Sequence, residues 1–236
     1  MSLQKRQAEA ALRMVSKAQV VFGPHRHEYR AATLNEFPEL DRGFYDRLRD
    51  WFESRGYSYL GDCENVTLSS VYPDKRTVIR RMVGELGTVC VDLHHIRIVR
   101  KNFRRDHKTV DLETGFIDGT FVLTSNALDS ARLSPVPTID HLKMPRDIEP
   151  ELLLLAHRDR IAQRLSEKSD IAAIRVQTME EAYEFQHRLH AIAAKFRREE
   201  GYITREDIEQ IKGRALTRTE EGIVSELEKL KATING

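Results

Sequence analysis

Along residues 4–21 the apolar positions Ala8, Leu12, Val15 and Ala18 recur at spacings of three and four, which predicts a helix with one buried face. Gly23 and Pro24 supply its stop. The polar stretch up to residue 40 carries no strong period of either kind. Asp41 then stands as N-cap to a second helix, in which Phe44, Leu48, Trp51 and Phe52 share a face and Arg55 reaches solvent before Gly56 ends the run. From residue 57 to 127 the period changes to two. Val, Thr, Tyr and Ile alternate with polar residues and are broken by Gly, Asp, Asn and Pro, the pattern of five or six strands separated by turns.

Two hairpins stand out. One joins 109–117 to 120–126 through Asp118 and Gly119, a pair suited to a type I′ turn; the other pairs RTVIRRMV with TVCVDLHH across residues 84–87. Connections this short force antiparallel neighbours, so the middle of the chain reads as a β-meander. Pro135, Pro137 and Pro145 mark an irregular link. Helical spacing resumes over 147–166 with Leu152, Leu155, Ala162 and Leu165 offered for burial. After that, Thr178 with Glu181, Thr204 with Asp207 and Thr217 with Glu220 open three further helices. In the first of them Met179, Ala182, Phe185, Leu189, Ile192 and Phe196 form the apolar stripe.

The expected fold is therefore α+β: an antiparallel meander of five or six strands packed against helices in a core of 36–166, with a helical N-terminal arm at 1–35 and a helical C-terminal extension at 167–236. The helices at 41–55 and 147–166 are expected to cover one sheet face and leave the other open or for a partner.

Composition adds limits. The 236 residues carry 38 Lys and Arg against 37 Asp and Glu, a net charge of +1 that argues against a globally basic nucleic-acid binder or an acidic tail protein. A 40% hydrophobic, 32% charged mixture is unlike that of a disordered chain. The longest aliphatic run, 152–156, falls far short of the roughly 20 residues that span a bilayer, and the first residues lack an apolar leader. A cytoplasmic protein without membrane association is the expectation. The two cysteines, Cys63 and Cys90, read as small core residues.

Candidate chemistry is sparse. The phosphate-cradling, dinucleotide-binding, serine-hydrolase and zincin motifs are absent, and Gly84 and Gly87 read as a hairpin turn, not a nucleic-acid clamp. No cofactor is expected. Histidines pair at His25 and His27, His94 and His95, and His187 and His190. Of these, His94, His187 and His190 are candidate metal ligands, but no third ligand accompanies any pair. In the strand TVCVDLHH the two-residue period puts Val89, Val91 and Leu93 on one side and Cys90, Asp92 and His94 on the other. Asp92 and His94 could act as an acid-base pair in a pocket between sheet and helices, with Glu113 and Thr124 as further lining. Residues 97–108 hold Arg97, Arg100, Lys101, Arg104, Arg105 and Lys108 against a single Asp, a local +5 that could contact phosphates or an acidic protein surface, with Phe103 as a stacking group.

The opening D-R-G-F-Y-D from Asp41, the segment V-D-L-E-T-G-F-I-D-G-T-F-V-L-T-S-N-A over 110–127 and L-L-L-L-A-H-R-D-R-I-A around His157 together resemble a family of soluble bacterial proteins, a domain of unknown function. The likeness covers about residues 36–165, and its most specific part is the E-T-x-F-x-D-G-T-F-V-x-T-S-N-A hairpin. It implies a shared module and transfers no catalytic residue. The function expected is a non-enzymatic binding or assembly module, a homo-oligomer or the partner of another protein. The alternatives are an enzyme or small-ligand receptor built on the polar pocket, and binding of a nucleic-acid backbone through 97–108.

Overall fold

The computed structural model describes residues 2–23, 26–73, 76–100, 103–127, 133–168 and 170–235, with 99, 100, 103, 104, 234 and 235 described by backbone alone. The chain forms two compact units, one of residues 27–128 and 137–189, the other of 1–26, 129–136 and 190–236. The units do not follow three consecutive segments: each is assembled from pieces distant in sequence.

The larger unit is built on one seven-stranded sheet in which spatial order follows chain order. Its strands are β1 (Tyr29–Ala31), β2 (Ser58–Asn65), β3 (Ile79–Gly84), β4 (Val89–Arg100), β5 (Phe103–Gly115), β6 (Phe121–Ser125) and β7 (Ile139–Lys143). The count exceeds the five or six expected because β1, three residues long, shows too little alternation to register, and β7 lies among prolines. Strands β1 to β6 pair antiparallel. Strand β7 returns parallel to β6, which the link over 126–138 is long enough to allow. Both expected hairpins form. The Asp118–Gly119 turn differs in type: Gly119 N–H bonds Phe116 C=O and only Gly119 of the pair takes a positive φ, +81°, so this is a turn closed by a left-handed glycine, not type I′.

One sheet face packs on helices α2 (Arg42–Glu53) and α4 (Pro150–Glu167), with the short α3 (Val66–Val71) beside β1 and β2. Asp41 caps α2 as expected, its carboxylate accepting from Phe44 N–H. Phe44, Tyr45 and Phe52 fill the core with Val91, Leu93, Val110 and Leu112 from the sheet. On α4 the buried face is Leu153, Leu154 and His157, while Leu152, Leu155 and Leu165 stay 49%, 52% and 41% exposed. The expected register is thus corrected. A run of four leucines satisfies either face, and the choice falls to His157, whose ring has hydroxyl partners only on the sheet side.

The other face is not open. Segment 172–176 crosses the ends of β3 to β6 through Ile174 N–H on Gly115 C=O and Val176 N–H on Gly87 C=O. It delivers helix α5 (Met179–Glu199) onto that face. Gly115 marks the close approach, since a Cβ there would lie 2.7 Å from Phe121 and 2.9 Å from Phe185. The Thr178 and Glu181 start signal forms as expected, each bonding the other's backbone N–H.

The smaller unit gathers α1 (Leu3–Val21), α6 (Arg205–Lys212), α7 (Arg218–Asn235) and the end of α5. Ala11, Val15 and Ala18 pack with Tyr202, Ile208, Val224 and Leu227. Leu12 is 55% exposed, so the buried stripe of α1 is rotated from the expected one. A buried ion pair, Arg197 to Asp207 at 3.1 Å, joins α5 to the first turn of α6, where Asp207 also completes a capping box with Thr204.

Candidate functional site

Cross-strand partners in a sheet point to the same face, so the register assigns each polar strand residue to a side. Arg81 on β3 pairs with Asp92 on β4, and Asp92 in turn with Asp111 on β5. Cys90 pairs with Glu113, and Asp111 with Ser125 on β6. Cys63, Arg81, Cys90, Asp92, His94, Asp111, Glu113 and Ser125 therefore share the face beneath α5. The structure places Asp92 and His94 on one face, as alternation predicts, and the β4–β5 register adds Glu113 to them. Thr124 is corrected: it pairs with Leu112 and faces the α4 side.

Asp92 is neutralised by Arg81, whose Nε and Nη2 each donate to the carboxylate at 2.8 Å. Both side chains are almost wholly buried. Burial disfavours the guanidinium charge, but Asp92 outweighs it and the Arg81 pKa rises. The rings of Tyr29 and Tyr183 stack on each other at 5.1 Å and lie 5.6 and 5.8 Å from the guanidinium. Burial raises the Tyr183 hydroxyl to about 12 and the Cys63 thiol to about 11, which makes both poor nucleophiles at neutral pH. The Nη1 of Arg81 is buried and has no hydrogen-bond partner among the described residues.

Glu113 takes the opposite role. Burial, then the charges of Asp92 and Asp111, raise its pKa well above the ordinary 4.5 and favour the protonated acid, and Gln186 on α5 donates to its Oε2. A neutral carboxyl here leaves two carboxylates in the layer, Asp92 facing Arg81 and Asp111 facing His94. His94 lies 3.1 Å from Asp111, and Ser125 donates to the other oxygen of that carboxylate. Burial lowers the His94 pKa, but Asp111 outweighs it, so the net shift is upward. A Ser, an Asp and a His are thus in contact, but with the carboxylate in the middle. The serine proton points at Asp111, not at an imidazole base, so the order does not activate the hydroxyl.

On the α4 side Thr124 belongs to a chain of donors. Arg160 Nη1 donates to Thr124 Oγ1 at 2.7 Å, and Thr124 Oγ1 lies 2.9 Å from His157 Nδ1. His157 Nε2 lies 3.1 Å from Thr114 Oγ1, whose proton goes to Thr88 C=O. Because that proton is spent, His157 must donate through Nε2 and accept through Nδ1, one neutral tautomer. Burial, then Arg160, lower the His157 pKa to about 3.

The remaining candidates scatter. His187 Nε2 donates to His27 C=O at 2.9 Å, and its ring packs on Tyr29. His190 falls in the smaller unit. No group of three His, Cys, Asp or Glu fit to hold a metal occurs among the described residues, so His94, His187 and His190 do not form a metal centre there. His25 lies outside the described residues.

Residues 97–108 are strand throughout the described part. β3 pairing ends at His94 and β6 pairing at Asp111, while β4 and β5 continue together to Arg100 and Phe103 as a two-stranded ribbon. Arg97 meets Asp106 at 2.6 Å and Lys108 meets Asp41 at 2.5 Å. His95 accepts from Asp41 N–H through Nδ1 and faces Asp106 through Nε2, which ties the ribbon base to the start of α2. Arg105 is exposed. Lys101 lies outside the described residues, as do the side chains of Arg100, Phe103 and Arg104.

Arg81, Tyr29, Tyr183, Gln186 and His157 escaped the sequence reading. One signal was available: adjacent Arg80 and Arg81 inside a strand must face opposite sides, so two apolar faces each receive a cation that needs an acid. Arg80 finds Asp62 across β2 and Asp46 on α2. No family model, curated protein or solved structure matches the chain.

Proposed function

We propose that this chain is a non-enzymatic binding module that engages an acidic protein surface through the end of the β4–β5 ribbon. The observation that carries this reading is the charge at that end. Residues 100–105 read R-K-N-F-R-R, four cations with no acid, at the point where the ribbon has left the rest of the sheet. Arg97 and Lys108, at its base, are already paired with Asp106 and Asp41. The non-enzymatic part is supported by the internal use of every candidate catalytic group: Asp92 by Arg81, His94 by Asp111, Glu113 by Gln186 and Thr124 by His157 and Arg160.

Poly-L-glutamate and duplex DNA of matched charge are the two probes, each titrated against the full chain at about 50 mM salt. Binding of polyglutamate, with DNA bound no more tightly, is expected. A clear preference for DNA would move the partner to nucleic acid, and retention of neither would end the proposal.

A specific observation also favours self-assembly: Leu152 and Leu155, one helical step apart on α4, are each about half exposed. Light scattering during size exclusion is expected to find a dimer at high concentration that Leu152→Glu with Leu155→Glu returns to monomer. A wild-type monomer at every concentration would discard this second reading.

A further inference from the structure

We propose that a cleft between α4 and the starts of β6 and β7 binds a small zwitterion with an apolar body, an aliphatic α-amino acid. The cleft has a volume of about 260 Å³. That is just below the range of about 300–1,000 Å³ typical of drug-sized sites, which sets the ligand at the size of a small metabolite. Its floor is apolar, with Val122, 2% exposed, and Pro137 beside it, while the ring of Phe121 packs on Phe185 across the sheet.

The charged groups on the walls are Arg160, Arg164, Asp140 and Glu167, two cations and two anions. A lining of zero net charge gives a simple anion or cation little reward and suits a ligand that carries both signs. The two arginines are not equivalent. Arg160 is consumed by the fold: Nη1 donates to Leu123 C=O and Thr124 Oγ1, and Nη2 to Asp140 C=O and its carboxylate. Arg164 uses Nη2 alone, at 3.1 Å from Thr120 Oγ1 and 3.4 Å from Asp118, a carboxylate that Lys168 and Thr120 already serve. Its Nε and Nη1 make no hydrogen bond among the described residues. A planar guanidinium with spare donors beside an apolar floor matches a carboxylate joined to an aliphatic chain. The ligand ammonium then has Asp140 and Glu167 on the same walls. None of the charged residues of this cleft belongs to the ribbon or to the layer under α5, so the site stands or falls separately from the proposed function.

The test is calorimetric titration of the full chain with L-leucine, with 4-methylpentanoate, which lacks the ammonium, and with 3-methylbutylamine, which lacks the carboxylate. Leucine is expected to bind, and each analogue at least roughly tenfold more weakly, the loss of one charge-assisted contact. Arg164→Gln should weaken leucine by a similar factor. Thr138→Trp, a change at an exposed residue on the cleft wall, should block it by filling space without touching a charge. Absence of leucine binding, equal binding of either analogue, or wild-type affinity in both variants would overturn the proposal.

Discussion

At the scale of single residues, the layer beneath α5 holds together because its charges are unequal in kind. Arg81 compensates Asp92, His94 compensates Asp111, and Glu113 is left to carry a proton. The sign of its effect on stability follows. A carboxyl whose folded pKa is raised contributes most below its unfolded pKa, near 4.5, and that contribution is lost as pH rises toward the folded value. Glu113→Gln keeps an acceptor for Gln186 and removes the ionisation. The variant is expected to match the wild type near pH 4 and to exceed it in stability at pH 8, the two diverging by at most about 1.4 kcal/mol per pH unit. Urea melts of both proteins across this range check it, and parallel curves would contradict the assignment. Strand alternation made half of this layer legible: it put Cys90, Asp92 and His94 on one face. It could not reveal that Arg81 and Gln186 arrive there from a neighbouring strand and a distant helix, since pairing across strands is absent from any local period. Thr124 was misplaced for the same reason, because its parity relative to β4 depends on the register through β5.

At the scale of elements, helix starts were the most legible feature, since a cap and its partner lie three residues apart and report a local bond. Helix faces were less so. The leucine run of α4 satisfies burial in more than one rotation, and a buried histidine with two hydroxyl partners decided the register. The β3–β4 turn was legible in position but not in conformation. Glu85 and Leu86 both adopt left-handed φ, +53° and +58°, and Leu86 is 85% exposed. A left-handed residue with a Cβ costs roughly 1–2 kcal/mol. Leu86 buries almost nothing in return, so Leu86→Gly is expected to stabilise the fold by about 0.5–1 kcal/mol after the extra entropy of glycine in the unfolded chain. A melting temperature unchanged or lowered would show that Leu86 is held by contacts its exposure conceals.

At the scale of the whole molecule, a net charge of +1 conceals a polarised chain. The larger unit sends β4 and β5 beyond their neighbours, and the segment 100–105 that joins them holds four cations and no acid in its sequence, while the cations at the base are tied to Asp106 and Asp41. Local composition made the +5 segment legible, but not the ribbon, because pairing between 95–100 and 103–108 leaves no mark in composition. The expected open sheet face failed for a related reason. Its cover, α5, begins far along the chain, and nothing in the spacing of Met179, Ala182 and Phe185 names the surface they meet. The proposed binding of an acidic partner at the ribbon end rests on charge. Its most direct test is the affinity for polyglutamate as a function of salt, for the wild type and for a variant with Arg100, Lys101, Arg104 and Arg105 changed to Ser. Wild-type affinity should fall steeply with salt, and the variant should bind at least roughly tenfold more weakly at low salt with a shallower slope; identical curves for the two proteins would contradict the account.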